Sequence, residues 1–211
     1  MAANKAVFLD RDGVINELVY HREQEVIDSP FTVKQFKLMR GVTDAIKLLQ
    51  QNRYLVVAVS NQPGIAKGHM TESVFTAIDE KMKKELGNAG IKLDGEYYCL
   101  HHPESQISKY KVKCNCRKPE PGLLQKASEE LDIDLKESWL VGDNLSDIAA
   151  GKAVLCNTVL LGNMKCETCH LMEEKGVYPD FVAGDLLSAS GIILDRNETG
   201  VDIHKFRRCH Q

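Results

Sequence analysis

Two carboxylates, Asp10 and Asp12, leave an apolar run two residues apart in the stretch "FLDRDGVIN", and Gly13 behind them allows a sharp turn. A carboxylate at a strand tip can attack phosphorus and form an aspartyl-phosphate. A second carboxyl two residues on can protonate the leaving oxygen and then deprotonate the attacking water. Alone, D-x-D-G is short, and a plain strand-end turn explains it as well. Three further stretches shift that balance. In "VSNQPGIAKG", Ser60 and Asn61 close an apolar run before a glycine-containing loop, which suits non-bridging phosphoryl oxygens. In "RKPEPG", Lys118 can neutralise phosphoryl charge and Arg117 can grip a phosphate with two nitrogens. In "WLVGDNLSDI", Asp143 ends another apolar run with Asp147 four residues on. Asp143 and Asp10 make a hard-oxygen pair of the kind Mg²⁺ takes together with phosphate and water.

A second chemistry sits in "CLHHPESQISKYKVKCNCRKPEPG". Cys99 and His101, then Cys114 and Cys116, offer three thiolates and one imidazole, enough for a closed tetrahedral zinc site of the structural type. His102 could supply the imidazole instead of His101, and reduced cysteines in a loop are the plain alternative. "CETCH" (166–170) fits the c-type haem attachment pattern, but that chemistry needs an export route and no signal is evident. A second zinc site from Cys166, Cys169 and His170 with Cys209 or Cys156 is more plausible than haem. Ordinary thiols remain the favoured interpretation.

These residues must be positioned by the elements around them. Short β-rich runs at residues 5–10, 54–60, 95–100, 138–143, 157–161 and 180–184 read as strands. Helical spacing runs through Val42, Ile46 and Leu49. Thr71 reads as the N-cap of a helix to about Leu86, stopped near Gly87, and Pro121 as the first position of another helix through Leu131. A short helix at 146–154 and a final one near 185–193 complete the set. Strands alternating with helices predict an α/β fold, a parallel sheet covered on both faces. Ligands of such sheets bind beyond the carboxyl ends of the strands, where Asp10, Ser60 and Asp143 fall.

With four motifs in this order, the chain resembles the haloacid dehalogenase (HAD) superfamily of phosphohydrolases over most of residues 5–190. The resemblance implies a Rossmann-like sheet with Asp10 as nucleophile, Asp12 as acid/base, and Ser60 and Lys118 stabilising the phosphoryl group. It implies Mg²⁺ on Asp10, the Asp12 carbonyl and Asp143, with Asp147 orienting its neighbours. No insertion is long enough for a separate cap domain, so an open site is expected. The cysteine loop, C-x-H-x-P followed by C-x-C-R-K-P, resembles that of the D-glycero-D-manno-heptose-1,7-bisphosphate 7-phosphatases. This implies Cys99, His101, Cys114 and Cys116 as zinc ligands. Histidinol-phosphate phosphatases share the ligands but have a markedly shorter loop; the twelve residues 102–113 here favour the heptose enzymes. The resemblance further puts Ser60, Asn61 and Gln62 near the transferred phosphate, Arg117 on the substrate, and Asn144 as an additional contact. The segment "NELVYHREQEV" would overhang the site, where Tyr20 or His21 could touch sugar or be plain loop residues.

The expected function is Mg²⁺-dependent removal of the C7 phosphate from the heptose bisphosphate. The alternatives are histidinol-phosphate hydrolysis, a non-catalytic module that binds phosphate ligands, and an end phosphatase acting on nucleic acid. Residues 1–194 are expected to form one domain, with the zinc loop at 99–116, and 195–211 a polar tail. Over 211 residues the net charge of −3 argues against a nucleic-acid partner, and the lysine runs at 81–84 and 109–113 read as solvated surface. No apolar run approaches the ~18 residues of a membrane span, and the N-terminal run is too short for a signal-peptide core. A cytoplasmic monomer with reduced thiols, acting on a small sugar phosphate away from membranes, is therefore expected. The Asn197-Glu198-Thr199 sequon is then chance.

Overall fold

The computed structural model describes residues 3–162 and 166–199, without the side chains of Cys166 and residues 196–199. Six parallel strands form the centre: β1 (Ala6–Leu9), β4 (Leu55–Asn61), β5 (Gly95–Cys99), β6 (Trp139–Gly142), β7 (Asn157–Leu161) and β8 (Phe181–Ala183), in the order β5-β4-β1-β6-β7-β8. The strand interiors are short apolar runs because both faces are covered. Alternation along β1 shows this. Val7 and Leu9 pack with α1 (Val42–Gln51), α2 (Glu72–Asn88) and α6 (Leu186–Thr199). Ala6 and Phe8 pack on the other face with α3 (Gly122–Leu131) and α4 (Leu145–Ala153). Leu160 and α4 carry α5 (Cys166–Lys175) on that same face. Together with the comparisons below, this layering bears out the expected fold.

The topology prepares a crevice. From β1 the chain passes to α1 on one face, whereas from β6 it passes to α4 on the other. Neighbouring strands whose connections diverge leave an opening at their carboxyl ends. Asp10 and Asp143 are the residues that follow β1 and β6.

Several boundaries differ from the sequence expectation. α2 runs through Gly87 to Asn88, because a single mid-helix glycine costs only ~1 kcal/mol. Thr71 does cap it, its Oγ accepting from Val74 N at 3.3 Å. Pro121 stands at the N-cap of α3, one position before the expected one. Several elements were not foreseen, among them a short 3-10 turn at Ser108–Tyr110. An antiparallel ribbon, β2 (Val19–His21) and β3 (Val26–Asp28), rises between β1 and α1. The CETCH segment forms α5. Its run has weak apolar periodicity, so neither motif class identified it. Cys166's side chain and Cys209 lie outside the described residues, and no cluster suited to a metal forms around Cys169 and His170 among the described ones. α6 reaches Thr199, and residues 200–211 lie outside the described set. Among the described residues no helix is long and apolar enough to cross a membrane.

Candidate active site and metal sites

Asp10 continues the sheet beyond β1 through its N–H to Val141 O (3.0 Å), which fixes where its carboxylate emerges. One oxygen, Oδ1, accepts from Arg11 N at 2.7 Å and faces Lys118 Nζ at 3.0 Å. Lys118 is buried. Its ammonium also meets Asp147 Oδ1 at 2.5 Å and donates to Val59 O at 2.8 Å. Burial alone would lower its pKa, but the carboxylates of Asp10 and Asp147 overcome that and hold it raised, so the charge stays at the nucleophile's flank. Asn61 anchors the lysine's backbone on both sides: its Oδ1 accepts from Lys118 N and its Nδ2 donates to Lys118 O, each at 2.9 Å.

Asp143 comes close because Gly13 has no side chain. A Cβ there would lie 2.2 Å from Asp143 Oδ2, and the backbone has φ +82°. Gly142 does the same for Asp147, whose Cβ would be 2.3 Å from an added methyl. Burial, then the charges of Asp10 and Asp147, push Asp143 up to about 7. Burial likewise raises Asp147, to about 6, against the opposing pull of Lys118. Oxygens of Asp10, Asp143 and Asp147 lie within 4.8 Å of one another, a crowd of acids that favours a cation. Asp147 is already engaged: beside Lys118, its Oδ2 accepts from Asn144 N at 3.0 Å in the capping box of α4. Asp10 and Asp143 remain as the pair able to hold Mg²⁺.

Asp12 is buried and fully hydrogen-bonded. Asn16 Nδ2 donates to Oδ1 at 2.9 Å, Gln62 Nε2 to Oδ2 at 2.5 Å, and Arg11 Nη2 lies 3.2 Å from both. Gln62, expected near the phosphate, is buried and spends its amide on Asp12, Arg11 and the Ser60 hydroxyl (3.0 Å). Asn144 is exposed and caps α4, its Oδ1 accepting from Ser146 N at 3.1 Å. Arg117 is half-buried, with Nη1 on His101 O at 3.3 Å. His21 is buried, stacked on Phe31 with Nε2 2.9 Å from Ser29 O, whereas Tyr20 is exposed. Sequence reasoning missed Arg11 and Asn16. The signal for Arg11 was a basic residue lodged between two acids at a strand exit; nothing in the spacing pointed to Asn16.

The cysteine loop converges as well. The register Asn61↔Cys99 puts one thiol beside the residue that anchors Lys118. Cys99, His101, Cys114 and Cys116 approach as a group: Cys99–Cys114 3.6 Å, Cys99–Cys116 3.3 Å, Cys99–His101 3.8 Å and His101–Cys116 3.4 Å. A zinc tetrahedron with 2.3 Å Zn–S bonds has edges of about 3.8 Å, so the donors fit the ion. His101 takes part, not His102, whose Nδ1 accepts from Glu104 N at 3.2 Å. Burial pushes the Cys114 thiol up, but hydrogen bonds from Cys116, Cys99 and backbone N–H groups more than offset it and bring it to about 7. The loop between the ligand pairs is pinned elsewhere by Tyr110 and Lys109 on Glu72 of α2, and by Ser105 Oγ on Ala66 O at 2.9 Å.

Comparison with known proteins agrees with this geometry. Residues 115–189 match a HAD-hydrolase-like family model. A D-glycero-beta-D-manno-heptose-1,7-bisphosphate 7-phosphatase of Pasteurella multocida is 44% identical over 158 residues, 74% of this chain and 81% of that protein. The enzyme of the same name from Salmonella typhi is 42% identical over 74% of this chain and 79% of its own. Among solved structures, the D,D-heptose 1,7-bisphosphate phosphatase from B. bronchiseptica, complexed with magnesium and phosphate, superposes with a TM-score of 0.72. It is 29% identical, and the match covers 91% of this chain and 99% of that one. A putative HAD-like phosphatase from Mesorhizobium loti also gives a TM-score of 0.72, at 28% identity over 92% of this chain and 88% of that one.

Proposed function

The chain belongs to the HAD-type D-glycero-beta-D-manno-heptose-1,7-bisphosphate 7-phosphatase family, hydrolases of phosphate monoesters, and on that footing we propose that it removes the C7 phosphate of D-glycero-D-manno-heptose 1,7-bisphosphate. The observation that carries the chemistry is the convergence of Asp10, Asp143 and the buried Lys118 at the carboxyl ends of β1 and β6. Lys118 and the Arg11 N–H both address Asp10 Oδ1, which leaves Oδ2 to attack phosphorus. As that oxygen–phosphorus bond forms, the bond from phosphorus to the sugar oxygen breaks and Asp12 passes a proton to the departing hydroxyl. Water then attacks the aspartyl-phosphate, Asp12 takes its proton, and phosphate leaves Asp10. Lys118, Ser60 and Asn61 stabilise the phosphoryl group, while Gln62 supports Asp12 and Ser60. Arg117 holds the substrate, with Asn144 at the rim. Asp10, Asp143 and the Asp12 carbonyl would hold Mg²⁺, which when bound offsets negative charge on the phosphoryl oxygens. Zn²⁺ on Cys99, His101, Cys114 and Cys116 would tie the end of β5 to the loop that carries Arg117 and Lys118. The enzyme works as a cytoplasmic monomer.

Two results test this. With Mg²⁺, kcat/KM for the heptose bisphosphate should exceed that for histidinol phosphate by at least about tenfold, a difference of ~1.4 kcal/mol. Asp10→Asn should abolish turnover of both. The reverse preference would transfer the substrate to histidinol phosphate. An Asp10→Asn variant as active as wild type would refute the covalent route, and activity on neither ester would leave a phosphate-binding module.

A further inference from the structure

Arg11 is wholly buried, yet among the described residues one nitrogen makes all of its polar side-chain contacts. Nη2 lies 3.2 Å from each oxygen of Asp12 and 2.6 Å from Gln62 Oε1. Among the described residues, Nε and Nη1 have no hydrogen-bond partner. Instead the guanidinium carbon sits over two rings, 5.7 Å from the centroid of Phe75 and 5.8 Å from that of Tyr98. Those rings meet edge to face at 88°, and Tyr98 is held by its hydroxyl, which donates to Asp79 Oδ1 at 2.7 Å. Asp79 is held in turn by Lys83 at 2.7 Å. Aromatic faces are attractive to a guanidinium but weakly directional, so they fix the plane while Nη2 alone aims at the site.

From this geometry we infer that Arg11 is the positioning residue of the acid/base step, orienting Asp12 and Gln62 together; the inference rests on Asp12 being the acid/base proposed above. The link through Gln62 follows from chemistry. The two ends of a glutamine amide are nearly the same size, and only the partners decide which faces where. Arg11 can only donate, so it takes Oε1, and this turns Nε2 onto Asp12 Oδ2 and the Ser60 hydroxyl. Without Arg11 nothing holds Oε1 away from the acid, and when Asp12 carries its proton the amide can reverse and accept it, tying up the proton meant for the leaving group. Removing one side chain then misaims both the acid and its support, leaving Asp10 and Lys118 in place.

A misaimed acid has a specific signature. A sugar alkoxide leaves only with a proton, whereas a dinitrophenolate leaves as the anion. Because kcat/KM covers steps up to release of the leaving group, the later hydrolysis of the aspartyl-phosphate does not enter it. The experiment compares heptose 1,7-bisphosphate with 2,4-dinitrophenyl phosphate, using wild type, Asp12→Asn, Arg11→Met and Arg11→Lys in the metal-loaded enzyme. For Arg11→Met the sugar-to-aryl ratio of kcat/KM should fall at least about 30-fold, a part of the roughly 10²–10⁴-fold that a positioned acid supplies. It should move in the same direction as for Asp12→Asn, and Arg11→Lys should show a smaller fall. Should Arg11→Met not fold, the lysine variant, which keeps charge and near volume but not the fork, reads the same ratio. Equal losses on both esters, or no loss on either, would overturn the positioning role. A wild type inactive on the sugar ester would overturn the substrate, and the same ratio would then be read with histidinol phosphate; an Asp12→Asn variant with an unchanged ratio would overturn the acid/base reading and the inference with it.

Discussion

At the scale of single residues, the site is a problem in accommodating charge. Asp143, hemmed in by burial, Asp10 and Asp147, is held up to about 7 from an ordinary 3.8. Its native form therefore binds a proton more tightly than the unfolded chain does. Raising the pH from about 4 to about 7 strips that proton and lowers stability, by up to about 4 kcal/mol when converted at 1.36 kcal/mol per unit. The chelated protein should thus melt at progressively lower temperature across that window. Asp143→Asn should make the fall shallower and remove it between about pH 6 and 7, leaving below 6 the part carried by the raised Asp147, and added Mg²⁺ should restore neutral-pH stability in wild type but not in the variant. Thermal melts at several pH values with and without Mg²⁺ check all three; a slope as steep as wild type between about pH 6 and 7 in Asp143→Asn would place the strain elsewhere.

At the scale of elements, the cysteine loop and α3 depend on each other. Gly122 opens the helix, and its N–H donates to Asn115 O at 2.8 Å. A Cβ on Gly122 would stand 2.4 Å from that same oxygen, a backbone atom flanked by Cys114 and Cys116. Gly122→Ala should therefore spread the ligand pair, and with it the backbone leading to Arg117 and Lys118. Supporting changes around a metal commonly cost about 10–100-fold in metal affinity or activity. Elemental analysis together with kcat/KM should record both losses; full zinc content with normal activity would mean the loop is positioned without the helix start. The ribbon is tethered in a comparable way, through the stack of His21 on Phe31 and of Phe31 on His69 (centroids 3.6 and 4.4 Å), which joins it to the loop after β4.

At the scale of the whole molecule, one covered sheet carries the site residues on strand ends, the loops behind them and the first turn of α4. Stability and chemistry should then separate. Leu140, fully buried at the centre of β6 and paired with Phe8, touches no reacting group. Leu140→Ala should cost 2–5 kcal/mol and lower Tm by roughly 5–15 °C. The KM of the folded fraction at low temperature should hardly change. A large KM increase without loss of Tm would show that β6 moves during turnover.

Much of this was legible in the chain itself. Short apolar runs ending in acids identified the strands and the ends that matter, because a parallel sheet buried on both faces leaves its polar residues nowhere else to go. The pairing of two cysteines with C-x-H was legible for a similar reason, since three thiols and an imidazole at short fixed spacing match the donor set of a tetrahedral metal site. Other assignments needed the tertiary structure. Which histidine joins the thiols depends on the turn after β5. That Gln62 supports Asp12 depends on a buried arginine 51 positions away in sequence. That Asp147 is engaged by Lys118 and α4 depends on Gly142 having no side chain. Periodicity and motif spacing report what a residue is able to do along one dimension. Which partner claims it is set by packing between segments distant in sequence, and only the folded molecule brings them together.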